Sequence, residues 1–200
     1  YYTEKQLEEE YYSHLLMMED VEYPATISNW LLLWKSTLNV PEMRYKPGIR
    51  YSEDLLFGAQ LMLQAKSFYY MKGETYYHYV MNPLSASHTF AVDKWDDYKK
   101  LYEEIKNVFE RCRRFDFSYQ IDLCLLFFLF NTIGEIYKTD FSIGEKKAKI
   151  KSILMTPSVI RMFKRLRVTR LQVSKKQKLI ALIYKYQIGI LALIVYYGGK

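Results

Sequence analysis

Pro47-Gly48-Ile49-Arg50-Tyr51-Ser52-Glu53-Asp54-Leu55-Leu56-Phe57 is the stretch on which the fold reading turns. Pro-Gly is a turn signal, and the aromatic and basic residues from Met43 to Tyr51 mark a loop. Leu55, Phe57 and Leu61-Met62-Leu63 then resume helical spacing to about Ala65. A helix opening on Glu53 and Asp54 carries two carboxylates in its first turn, where the macrodipole stabilises their ionised form. Taken alone, such a pair is ordinary charge capping.

Upstream, residues 3–20 read as a helix. Thr3 is an N-cap with Gln6 three residues later, and Leu7, Tyr11, Leu15 and Met18 recur on one face. Pro24 closes it. A second helix is expected over Ser28–Leu38, with Trp30, Leu33, Trp34 and Leu38 sharing a face before Pro41. Downstream, Ser67–Met71 suits a strand, Lys72-Gly73 a turn, and Thr75–Val80 a second β-prone run. Asn82-Pro83 with Ser85 and Ser87 reads as a loop. From Asp93 onward the pattern is almost entirely helical, broken at Asp116-Phe117-Ser118, Thr139–Gly144 and Thr156-Pro157.

Half of the 200 residues are hydrophobic, enough for a substantial core and against global disorder. Cys112 and Cys124 fit neither a metal-ligand spacing nor a disulfide framework, so two reduced thiols in a cytoplasmic protein are expected. The net charge of +7 conceals a division. Residues 1–100 hold 10 Lys/Arg against 14 Asp/Glu, and residues 101–200 hold 19 against 8. The second half is therefore basic and partner-facing. The chain opens on Tyr1-Tyr2 rather than Met, with no signal-peptide pattern near its start. Missing upstream residues are the expected reason, a processed terminus the other reading.

The order of these segments resembles the acceptor-side half of inverting family 2 glycosyltransferases of the GT-A fold. The matching stretches are Trp30–Lys35, Pro47-Gly48-Ile49, Glu53-Asp54-Leu55-Leu56-Phe57, Ala65–Tyr70, Tyr77-His78-Tyr79 and Asn82-Pro83-Leu84-Ser85-Ala86-Ser87. The resemblance covers about residues 25–90. It implies an α/β remnant of a Rossmann-like GT-A domain over residues 1–90, then a mainly helical extension over 91–200, helix-dominated overall. It also implies sugar transfer from a nucleotide-sugar donor to a hydroxyl of a glycan or lipid-linked acceptor, in surface polysaccharide or glycan assembly. Asp54 is then the general base, because a hydroxyl needs a carboxylate to accept its proton before it attacks well. Glu53 orients that base or binds the acceptor. Trp30, Tyr51, Tyr77 and Tyr79 would offer flat faces and hydroxyls to substrate, as could Tyr45 and Tyr76. His78 would sit near the donor diphosphate or a metal; otherwise it is a structural residue.

Three positions depart from the family pattern. Val80 stands where Arg often follows Tyr-x-Tyr, and Leu31 and Leu32 stand where Asn and Lys are common. No Asp-x-Asp occurs in the chain. The divalent metal (Mn or Mg) that neutralises the leaving diphosphate is thus expected mainly in an upstream nucleotide-binding half, and this chain alone should be inactive.

The basic residues concentrate in Arg161, Lys164, Arg165, Arg167, Arg170, Lys175, Lys176 and Lys178, ahead of the apolar segment Leu179–Tyr197. Leu123–Phe130 is too short to span a bilayer and reads as core. For the tail three readings stand: a peripheral anchor at the inner face of the cell membrane, a transmembrane helix opposed by Lys185, and a packed helix with a solvated basic face. Nucleic acid is not an expected partner, since the front half is acidic and no recognition motif is present. The alternative to an enzyme is a non-catalytic helical adaptor binding an anionic membrane surface or a protein.

Overall fold

The computed structural model describes residues 1–38, 43–78, 80 and 94–188. Helices dominate. The chain divides into two compact units, one formed by Tyr1–Met18 and Tyr23–Ile121, the other by Glu19–Glu22 and Asp122–Lys200. The domain boundary expected near Phe90 lies outside the described residues.

In the first unit, β1 (Tyr2–Thr3) pairs antiparallel with β2 (Ser67–Phe68), Tyr2 opposite Phe68. Thr3 caps α1 (Glu4–Gln6): its hydroxyl accepts from the Gln6 amide while the Gln6 side chain accepts from the Thr3 amide. The coil then widens to a π-helix over Leu7–Tyr11 and tightens to a 3-10 turn over Tyr12–His14. The expected helix thus stops at His14, not at residue 20. The cause is a distant side chain. The buried Gln120 carboxamide accepts from the Leu16 amide at 2.8 Å and donates to the Tyr12 carbonyl at 2.6 Å, satisfying the backbone where the helix would have continued.

The expected Ser28–Leu38 helix does not form. Separate 3-10 turns occupy Ala25–Ile27, Asn29–Leu31 and Ser36–Leu38, with extended backbone at Ser28 and Leu32. Leu32 and Trp34 pack against Met43, Phe57 and Leu61, while Leu31 and Leu33 face solvent. That alternation is the period of extended chain, not of helix.

Helix α2 (Glu53–Gln64) buries Leu55, Leu56, Phe57, Ala59, Leu61 and Met62. Gly58 lets the Ala25–Ile27 turn sit on it: a Cβ there would meet the Thr26 and Ile27 carbonyl oxygens at 3.2 Å. The loop before α2 turns at Pro47-Gly48, with Gly48 at φ 77° and the Ile49 amide bonded to the Lys46 carbonyl. Helix α3 (Lys94–Phe109) then holds that loop: Arg50 to Asp97 at 2.7 Å, Lys46 to Glu104 at 3.2 Å, and Lys100 donating to the Gly48 carbonyl. Past β2 the expected strands are shorter or missing. Ser67–Phe68 is all that pairs, and the described residues of Thr75–Val80 join no sheet. A strand forms only where another strand supplies its hydrogen bonds.

The second unit is helical. Helix α4 (Ser118–Lys138), which enters this unit at Asp122, buries Leu123–Leu126, Phe128, Leu129 and Ile133, as the apolar run predicted. It is long and apolar enough to cross a membrane, but 67% of its apolar window is buried inside the protein, as in a core helix. Helix α5 (Ile143–Leu154), helix α6 (Pro157–Arg165), a 3-10 turn at Val168–Arg170 and helix α7 (Lys175–Lys185) follow. The breaks at 139–144 and 156–157 fall where expected; the interruption at 166–174 was not anticipated. Ser142 with Glu145 and Ser174 with Gln177 form reciprocal capping boxes. Asp122, buried, receives a two-pronged bond from Arg165 at 2.6 and 3.0 Å.

Helix α7 does not run on through Leu179–Tyr197. Gln187 adopts φ 57°, and the Ile188 amide bonds back to Ile183 and the Gln187 amide to Tyr184. This pair of bonds is the Schellman stop, made here with Gln where Gly is usual. Among the described residues α7 therefore ends at Lys185. Residues 189–197 lie outside the described residues.

Candidate functional site

Three neighbours define the start of α2. Ser52, the N-cap, lies in the left-handed region at φ 56° and ψ 27°, and its side chain caps nothing. Its hydroxyl is instead taken by Tyr23, which donates to it at 2.7 Å. A non-glycine residue in this region costs on the order of 1 kcal/mol and persists only where the surroundings enforce it. The carboxylates following Ser52 are therefore aimed by a constrained backbone.

Asp54 is half-buried, and the backbone amides of Asp54 and Leu55 at the helix start favour its ionised form. Burial, followed by the charge of Glu53, opposes it more strongly, and the pKa is raised from 3.8 to about 6. The competition that the primary structure left open is decided by tertiary burial. Tyr45 completes the group. Its hydroxyl pKa is raised by burial and then by Asp54 and Glu53, so the phenol lies within the field of both carboxylates. Its ring stacks on Phe57 at 4.9 Å and 6°. A carboxylate at pKa about 6 beside a second acid and a phenol can accept a proton at neutral pH from a group bound against it.

Trp30 and Tyr77, 47 positions apart in the chain, stack at 4.7 Å and 27°, and each leaves nearly half its surface to solvent. This exposed double ring is a platform of the kind that suits a sugar face. Tyr51 is placed differently. It packs beside Tyr98, with Lys94 Nζ 5.0 Å and Arg50 5.8 Å from its ring centre, and so belongs to the clamp on α3. His78 is exposed, and among the described residues no group of three or more His, Cys, Asp or Glu could hold a metal ion. Tyr79 and the loop at 82–87 lie outside the described residues.

The reading of the sequence missed the Tyr23–Ser52 pair, the Gln120 clamp and the Arg50–Asp97 bond. Only the last left a trace, as a basic loop followed by an acid-bearing helix. Arg114 was missed as well: it bonds Glu8 at 2.5 Å, Glu4 at 3.1 Å and the Leu63 carbonyl at 3.1 Å. A cavity of about 470 Å³ over residues 109–118 includes Arg114 and Asp116 in its lining but neither carboxylate of α2.

The basic residues separate into two sets. Arg165 is committed to Asp122, and Lys178 donates to the Thr169 carbonyl at 3.2 Å. Arg161, Lys164, Arg167, Arg170, Lys175 and Lys176 are exposed. No protein-family model, curated protein or solved structure matches the chain.

Proposed function

We propose that this chain is the acceptor-side part of an inverting, family 2-like glycosyltransferase of the GT-A class, with Asp54 as its general base. The observation that carries the reading is the Asp54 carboxylate: fixed in the first turn of α2, half-buried, and raised to a pKa of about 6. An unperturbed Asp is a poor match for deprotonating a hydroxyl near neutral pH; one raised to about 6 is a stronger base that is still ionised.

In the proposed reaction the acceptor hydroxyl hydrogen-bonds to Asp54 and gives up its proton as its oxygen attacks the anomeric carbon of the donor sugar. The bond to the nucleoside diphosphate breaks on the opposite side, which inverts the anomeric centre. Glu53 keeps Asp54 basic by its charge, and Tyr45 offers a hydroxyl to the acceptor. The Trp30–Tyr77 platform would take a sugar face. The residues described here do not fit a Mn or Mg ion, so no step is assigned to a metal held by this chain.

The test uses the chain joined to a nucleotide-binding half. Asp54→Asn should abolish sugar transfer while leaving nucleotide-sugar affinity nearly unchanged. Turnover preserved in that variant refutes the base assignment.

A further inference from the structure

After Glu145 the sequence contains no Asp or Glu through Lys200, while it contains fourteen Lys and Arg. Solvated protein faces ordinarily intersperse both signs, so a run this long with one sign is a surface property that needs a partner. The fold sorts these cations. Lys146 is buried against the Tyr137 carbonyl, and Arg165 answers Asp122. Lys149 lies over the Phe141 ring, and Lys178 and Lys185 donate to the Thr169 and Leu166 carbonyls. Eight are turned outward: Lys147 and Lys151 on α5, Arg161 and Lys164 on α6, Arg167 and Arg170 around the 3-10 turn, Lys175 and Lys176 opening α7. Among the described residues none of these eight makes an ion pair. Lys178 ties the 3-10 turn to α7 through the Thr169 carbonyl, which brings Arg167 and Arg170 beside the lysines of α7.

Apolar side chains are exposed on the same elements. Met155 follows Lys147 and Lys151 at four-residue steps. On α7, Leu179 lies one turn beyond Lys175, and Tyr186 two turns beyond Leu179 at the helix end; Leu179 is 48% and Tyr186 67% exposed. Cations with intervening exposed Leu, Met and Tyr match the interface of an anionic bilayer, where charge meets headgroups and apolar side chains enter the acyl boundary. A phosphate backbone would use the cations and leave the aliphatic groups in water.

We propose that the exposed cations of α5, α6, the Val168–Arg170 turn and the start of α7, together with Leu179 and Tyr186, form a docking surface for an anionic lipid bilayer. The inference stands on charge and exposure in this unit and does not depend on the role of Asp54. It concerns attachment through these described side chains.

Co-sedimentation of the whole chain with vesicles tests it. Binding is expected to phosphatidylcholine vesicles containing about one-third phosphatidylglycerol, with little to phosphatidylcholine alone, and to fall steeply as salt shortens the screening length to about 3 Å near 1 M. Arg167→Glu with Arg170→Glu and Lys176→Glu should weaken binding at least about tenfold, by loss of attraction and gain of repulsion. Leu179→Ser with Tyr186→Ser, which keeps every charge, should also weaken it. Circular dichroism matched to the parent and thermal melting no lower than the parent's ensure that a loss reports the surface. Equal binding to neutral vesicles, no binding to anionic ones, or tighter binding to a single-stranded oligonucleotide at equal salt would overturn the proposal.

Discussion

Helices α2 and α7 open with opposite charges at the same electrostatic position. The first turn of α2 holds Glu53 and Asp54; that of α7 holds Lys175 and Lys176, with Lys178 just beyond. By the macrodipole alone α2 is well placed and α7 badly. The cap residues reverse this ranking. Ser174 makes a full capping box with Gln177, whereas Ser52 is left-handed and caps nothing. Thus α7 tolerates misplaced lysines because its cap is sound, and α2 keeps a constrained cap although its charges are favourable. Each helix start breaks one local rule, and the broken rule coincides with a proposed site.

The largest expected effect lies at α2. Under the proposed mechanism, Asp54→Asn in the complete enzyme should lower the transfer rate by about 10²- to 10⁴-fold, read by product formation at saturating donor. The parent's rate should rise with pH through the Asp54 pKa of about 6, and this limb should vanish in any residual activity of the variant.

The cap of α7 ranks next. Ser174→Ala should cost about 1 kcal/mol by chemical denaturation, since the amide of Gln177 loses its acceptor while three lysines remain at the positive end. A much smaller loss would remove the compensating role given to this cap.

The same Asn substitution at Asp54 should show the opposite sign in stability. The native carboxyl keeps its proton up to a pKa of about 6, whereas the unfolded chain releases it near 3.8. Between those values the native state binds more protons, so stability falls as pH rises. Asp54→Asn should therefore match the parent below the unfolded pKa and exceed it above the native one. After solvent screening of this half-exposed group the gain is on the order of 1 kcal/mol. Equal stability at pH 4 and pH 8, or a loss at pH 8, would contradict the raised pKa.

The smallest effect is the most pointed. Lys175→Glu and Lys176→Glu should each stabilise α7 by about 0.3–1 kcal/mol through the dipole, while weakening attachment to anionic vesicles. Stability and attachment moving together would dissolve the contrast between the two helices.

Local pattern made much of this legible. The Thr3–Gln6 box, the Pro47-Gly48 turn, the start of α2 at Glu53 and the breaks around α4, α5 and α6 lie where the residues indicate. Ser142–Glu145 and Ser174–Gln177 carry the same capping-box spacing. The Ser28–Leu38 segment misled because two Trp and several Leu satisfy a helical stripe as well as an extended one. Which period is used depends on whether Phe57 and Met43 lie beside Leu32 and Trp34, and that is a contact at long range.

The sequence by itself determined the helix-dominated second half, the carboxylate pair in a helix's first turn, and the segregation of positive charge after Glu145. Those depend on residue type and spacing along one chain segment. Tertiary structure alone decided where the first helix ends, through Gln120, and which cations are spent on Asp122 and on backbone carbonyls. It also decided that Asp54 is a stronger base than an exposed carboxylate. The physical reason is common to all three: hydrogen-bond partners and desolvation come from residues distant in sequence, and no local pattern contains them.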